Sequence, residues 1–106
     1  MKGARAQKYA SYRYRVNKIT AESIAGVHRP HGHTLDHMIP IRYGFKKGVP
    51  PELIGDIRNL EYVPFQDNLS DGARITDRSI VAMRRLGLDE MADIELYRNP
   101  QLKDAA

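Results

Sequence analysis

The sequence predicts an α+β domain whose centre is a short β-hairpin crossed by a helix, with further helices at both ends. Three observations point there. Two short segments rich in strand formers, 33–39 and 60–63, each stop at a proline, Pro40 and Pro64. Apolar residues recur at helical spacing near the N-terminus. Helix start and stop signals then follow closely after Pro64. At 106 residues the chain suits one domain and is too short for two ordinary ones, so 1–106 reads as a single unit.

The first helix is expected over 3–19. Tyr9, Tyr12, Val16 and Ile19 follow steps of three, four and three, which places them on one face. Lys8, Arg15 and Lys18 fall on the neighbouring flank. Thr20 reads as the cap of a short further helix, and 27–32, with His28, Pro30, His31 and Gly32, reads as loop. In the second strand Leu60 and Tyr62 alternate with Glu61 and Val63, giving two faces. The stretch between the strands holds Gly44, Gly48, Pro50 and Pro51 and reads as one long connection. Its single helical turn is expected at 51–54, with Pro51 at the first position and Gly55 ending it. A connection of that length in a small domain is usually functional. A helix begins after Pro64 over 65–70 and breaks at Asp71-Gly72. Thr76-Asp77 caps the next, Ile80 and Met83 continue it, and Gly87 stops it. A last, acidic helix completes the C-terminal pair, which together spans 77–97.

Hydrophobic residues make up 42% and charged residues 28%, ordinary values for a globular domain. There is no cysteine, which excludes disulfides, Cys-ligated zinc and thiol nucleophiles. No apolar run approaches the ~20 residues of a membrane helix, and the first 20 residues lack the apolar stretch of a secretion signal. The expectation is a protein with no membrane partner, soluble and cytoplasmic. The charge distribution is uneven. Residues 1–20 carry six cations and no acid, whereas 89–106 carry five acids against two cations. A basic end on a chain of net charge +4 suits a polyanion such as nucleic acid.

Four residues concentrate the chemistry: Asp36 and His37 at the end of the first strand, Asn59 at the start of the second, and Asn68 on the crossing helix. Folding the hairpin under the helix would gather their side chains. A carboxylate and an amide oxygen are hard ligands suited to Mg2+ or Mn2+. Two such ligands, Asp36 and Asn68, leave an open site of the kind phosphodiester cleavage needs. Beside that ion, His37 would take a proton from water as general base, near its ordinary pKa of ~6.5. Asn59 would hydrogen-bond the connecting loop and keep His37 aimed.

The run Leu35-Asp36-His37-Met38-Ile39-Pro40-Ile41, then Asn59-Leu60-Glu61-Tyr62-Val63, then Asn68 nine residues after Asn59, resembles the HNH endonucleases, or ββα-metal nucleases. Gly44-Phe45 and Val49-Pro50-Pro51-Glu52 between the strands are similar to small phage-type members. The resemblance covers roughly 27–75. It implies Asp36 as first metal ligand, His37 as general base, Asn59 as the loop brace and Asn68 as second ligand. It further implies one divalent ion (Mg2+ or Mn2+ foremost, Zn2+ or Ni2+ as variants) and hydrolysis of DNA to a 5′ phosphate and a 3′ hydroxyl. Two features depart from the family: there are no paired zinc knuckles, and Asp71-Gly72 stands where many members carry a lysine. That leaves two expectations open, lowered activity or substitution by Arg74.

Arg42, Lys46 and Lys47 in the connection, Arg74, and the flank of Lys8, Arg15 and Lys18 are the candidate phosphate contacts, positioning DNA without reading its sequence. The charge pattern does not discriminate DNA from RNA. One site cuts one strand, so double-strand cleavage would need a homodimer, a larger phage assembly or two successive nicks. His28, His31 and His33 lie close together but without further ligands, and read as solvated; His33 alternates with His37 along the strand. Glu61 reads as a surface residue. The rival expectations are a catalytically weak or inactive nucleic-acid-binding module on the same scaffold, and a small helical interaction protein.

Overall fold

The computed structural model describes residues 2–105 except 67–73, and the side chains of 8–66 and 74–105. Helix α1 spans Lys2–Ser23. It runs one turn past its expected end, with Thr20 inside it. The reason is local: the Thr20 hydroxyl donates to the Val16 carbonyl, and the Thr20 carbonyl accepts from the Ile24 amide, so the residue bonds within the helix instead of capping a new one. Its apolar face is the one the spacing predicts. Val16 is fully buried and Tyr9, Tyr12 and Ile19 are partly so, whereas Lys8, Arg15 and Lys18 are exposed.

Strand β1 (His33–His37) pairs antiparallel with β2 (Leu60–Pro64), and the register places His33 opposite Pro64, Asp36 opposite Glu61 and His37 opposite Leu60. The two are joined by 38–59, which folds into α2 (Ile41–Lys47), α3 (Pro51–Ile54) and a 3-10 turn at Ile57–Asn59. The turn at 51–54, closed by Gly55, is as expected; α2 is an addition to the expected connection. Gly44 inside it disfavours a helix by about 1 kcal/mol relative to Ala, yet packing requires a glycine there. A Cβ on Gly44 would meet the Tyr12 hydroxyl at 2.6 Å and Ile54 Cγ1 at 2.7 Å. The same Tyr12 hydroxyl donates to the Val49 carbonyl at 2.7 Å, closing α1 onto the connection. Gly44→Ala should therefore lower stability by about 1–3 kcal/mol despite its better helix propensity. Denaturant titration checks this, and an unchanged midpoint would refute the packing account.

Helix α4 (Asp77–Arg85) starts at the expected Thr76 cap, whose amide donates to Ser79 Oγ at 3.0 Å. Ser79 in turn donates to the Met38 carbonyl, which ties α4 to the end of β1. Helix α5 (Asp89–Arg98) follows Gly87, whose φ of 75° lies in the left-handed region that favours glycine. Arg84 gathers Asp89, Asp93 and Asp104 at 2.7–3.0 Å, so much of the C-terminal acidity is neutralised locally. Val16, Ile39, Ile54, Ile80 and Met83 form the fully buried centre, drawn from α1, both ends of the connection and α4. The result is an α+β fold around a two-stranded antiparallel sheet. Among the described residues no helix is long and apolar enough to cross a membrane.

Phe65 and Gln66 are helical, as expected after Pro64. The rest of the expected 65–70 helix, with Asn68, and the expected break at Asp71-Gly72 lie outside the described residues.

Candidate active site

The end of β1 carries two polar side chains in succession, and consecutive strand residues face opposite sides of a sheet. His37 turns toward α1, with Nε2 2.9 Å from Thr20 Oγ1. Asp36 turns toward α4, where Arg78 Nη2 lies 2.8 Å from its Oδ2. The two adjacent side chains thus turn to opposite faces of the hairpin, a more divergent arrangement than gathering all the site side chains would give.

Burial decides the state of the imidazole. Removal from water disfavours the cation, and His37 is lowered from its ordinary 6.5 to about 4. This corrects the expectation of an unshifted histidine. At neutral pH the ring is uncharged, the form a proton acceptor requires.

Asn59 is fully buried and spans the connection from both ends. Its Oδ1 accepts from the Ile39 amide at 2.7 Å, while Nδ2 donates to the Ile39 carbonyl at 3.2 Å and the Ile54 carbonyl at 2.8 Å. Its own carbonyl accepts from the Met38 amide at 2.9 Å. The side chain is a strut between the residues after His37 and the end of α3. Enclosed in this way, it cannot touch substrate, so the catalytic grouping of Asn59 with His37 narrows to a positioning role.

Arg78 is the residue that sequence reasoning missed. From the first turn of α4 it reaches Asp36 and also Glu61, at 2.9 Å from Nε to Oε2. Although burial opposes it, these hydrogen bonds hold the guanidinium firmly cationic. A signal for it existed. In the hairpin register Asp36 sits directly opposite Glu61, and like charges so placed repel unless a cation lies between them. Glu61 itself is exposed, as expected.

Whether these residues suit a divalent cation is a question of donor chemistry. Asp36 and Glu61 present hard carboxylate oxygens on either side of one positive group, which is the right charge for Mg2+ or Mn2+. Asp36 Oδ2 is engaged by Arg78, so an ion binding this carboxylate would compete with the guanidinium. Among the described residues no cluster of three His, Cys, Asp or Glu side chains could hold a metal, and His28, His31 and His33 form none. Asn68, the expected second ligand, lies outside the described residues.

The expected phosphate contacts are spread around the molecule. Lys8, Lys18, Arg42, Lys46, Lys47 and Arg74 are exposed. Arg15 is exposed too but lies 2.7 Å from Glu52, a surface pair worth ~0–1 kcal/mol and readily exchanged. The Arg42 guanidinium stacks 4.1 Å from the centre of the Tyr9 ring, which joins α2 to the basic flank of α1. Lys47 differs. It lines a cavity with Asp89 and Glu90, an acidic setting that is poor for a phosphate. Arg74 and Arg78 line a cleft with Asp77 and Glu95, between the start of α4 and the end of α5. No protein-family model matches the chain, and neither does any curated protein or solved structure.

Proposed function

We propose that this protein is a metal-dependent endonuclease of the HNH type, with β1, β2 and the helix begun at Phe65 as a ββα-metal core. The observation that carries the reading is the join at the end of β1. A neutral imidazole and a carboxylate are consecutive there, and the buried Asn59 amide clamps the chain two residues beyond. In the reaction, His37 takes a proton from the water that attacks phosphorus in line with the 3′ oxygen. That oxygen departs with the P–O bonding pair and takes a proton from solvent water, leaving a 3′ hydroxyl and a 5′ phosphate. Asp36 with Asn68 would hold the divalent ion, which supplies charge neutralisation at the phosphate. Arg42, Lys46, Lys8, Arg15, Lys18 and Arg74 support the reading as cations that hold the strand by its backbone.

The test is incubation of supercoiled plasmid with the protein and Mg2+, Mn2+ or EDTA. Open-circular product that needs the metal supports the enzyme. Asp36→Ala should weaken Mn2+ binding at least about tenfold in calorimetry, and equal affinity in wild type and variant would refute its role as ligand. One observation favours a second reading, an inactive nucleic-acid-binding module: Arg78 already satisfies the Asp36 carboxylate. Retarded DNA with no cleavage under any metal would select it.

A further inference from the structure

The Thr20 hydroxyl has one proton and two neighbours. Its oxygen lies 2.7 Å from the Val16 carbonyl and 2.9 Å from His37 Nε2. A carbonyl oxygen can only accept, so the Thr20 proton goes to Val16. If that proton pointed at the imidazole instead, two oxygen lone pairs would face each other at 2.7 Å inside the helix. Nε2 is therefore the donor and Thr20 Oγ1 the acceptor, in a chain running from imidazole to hydroxyl to carbonyl.

A neutral imidazole carries one proton. With that proton on Nε2, the free lone pair belongs to Nδ1. Among the described residues Nδ1 has no protein partner, and no buried side-chain nitrogen or oxygen there is left unsatisfied, so Nδ1 keeps contact with solvent. Bonded to Cγ, it is the ring nitrogen nearer the strand backbone. Thr20 is itself 6% exposed and sits one turn above the fully buried Val16, so its hydroxyl is held rigidly.

We propose that Thr20, on the basic N-terminal helix, is a positioning residue that fixes His37 as the Nε2–H tautomer and leaves Nδ1 as its basic nitrogen. The inference rests on the nuclease reading for its catalytic consequence, but not for the tautomer. It also gives α1 a second task, because the helix whose flank would meet DNA also orients the base.

The test is long-range 1H–15N spectroscopy of the imidazoles in the full chain at neutral pH, with plasmid nicking measured in parallel. The wild type should show His37 with Nε2 protonated and Nδ1 unprotonated. Thr20→Val, which keeps the shape and removes the acceptor, should move the proton toward Nδ1 and lower kcat roughly tenfold or more with KM little changed. Thr20→Ser should restore both. A wild-type spectrum with the proton on Nδ1 overturns the proposal without any variant having to fold, and so does a Thr20→Val spectrum identical to wild type. If the wild type cuts no DNA under any metal while the tautomer responds as stated, the nuclease reading fails and the hold of Thr20 on the ring stands.

Discussion

On the proposed nuclease reading, His37→Ala should reduce metal-dependent nicking by about 10²–10⁴-fold while DNA binding is retained, the loss expected when a positioned general base is removed. The expectation follows from the state of the ring. His37 is uncharged at neutral pH because burial pushes it down to about 4, so in essentially every molecule the ring carries an unprotonated nitrogen. Retardation of labelled DNA checks binding, and circular dichroism checks the fold. His37→Gln, which refills the space, should be as inactive as His37→Ala. Nicking within a few-fold of wild type in both variants would remove His37 from the mechanism. The same burial has a consequence for the metal-free protein in EDTA. Below 6.5 the unfolded chain gains a proton that the folded protein refuses until about 4. Unfolding therefore takes up protons across that window, and stability falls as the pH drops through it. His37→Gln should flatten this part of the stability curve.

Much of the scaffold was legible because local signals and packing agree. The Tyr9, Tyr12, Val16, Ile19 stripe faces inward as its spacing demands. Thr76 and Gly87 bracket α4, whereas β1 ends at His37, short of Pro40, and β2 runs through Pro64 to pair it with His33. α2 was not legible, because Gly44 and the glycine-proline punctuation around it describe a loop to any local reading. Only the approach of Tyr12 and Ile54, distant in sequence, explains why a helix there must contain a glycine. The site divides along the same line. Asp36, His37 and Asn59 are marked by residue type and spacing. Thr20 and Arg78 come from helices lying on opposite faces of the hairpin. Thr20 looks like a cap in sequence, and Arg78 like one exposed cation among many, until tertiary structure brings each to its partner. The Asp36–Glu61 register was the single sequence-level hint, and using it required the strand pairing.

Asn59→Ala should cost about 3–5 kcal/mol of stability, the range reached when a buried hydrogen-bond network is broken. Three bonds end on this amide, and their partners, the Ile39 amide and the carbonyls of Ile39 and Ile54, belong to residues that are themselves fully buried. Alanine would strand those groups without water or substitute. Against the 5–15 kcal/mol that ordinarily holds a domain together, the variant should be marginal, and its denaturant midpoint should fall accordingly. Asn59→Asp should do no better, because a carboxylate cannot donate to the two carbonyls that Nδ2 now satisfies. The expected order of effects therefore separates two roles. If Asn59 acts only as the strut, the fraction of Asn59→Ala that remains folded at low temperature should nick DNA more slowly, because the chain beyond His37 is no longer clamped. It should still bind Mn2+ as tightly as wild type, because no ligand has been removed. A variant within 1 kcal/mol of wild type would mean that the 38–59 connection is held by its apolar contacts alone. A variant stable but unable to bind Mn2+ would place the amide at the ion rather than behind it.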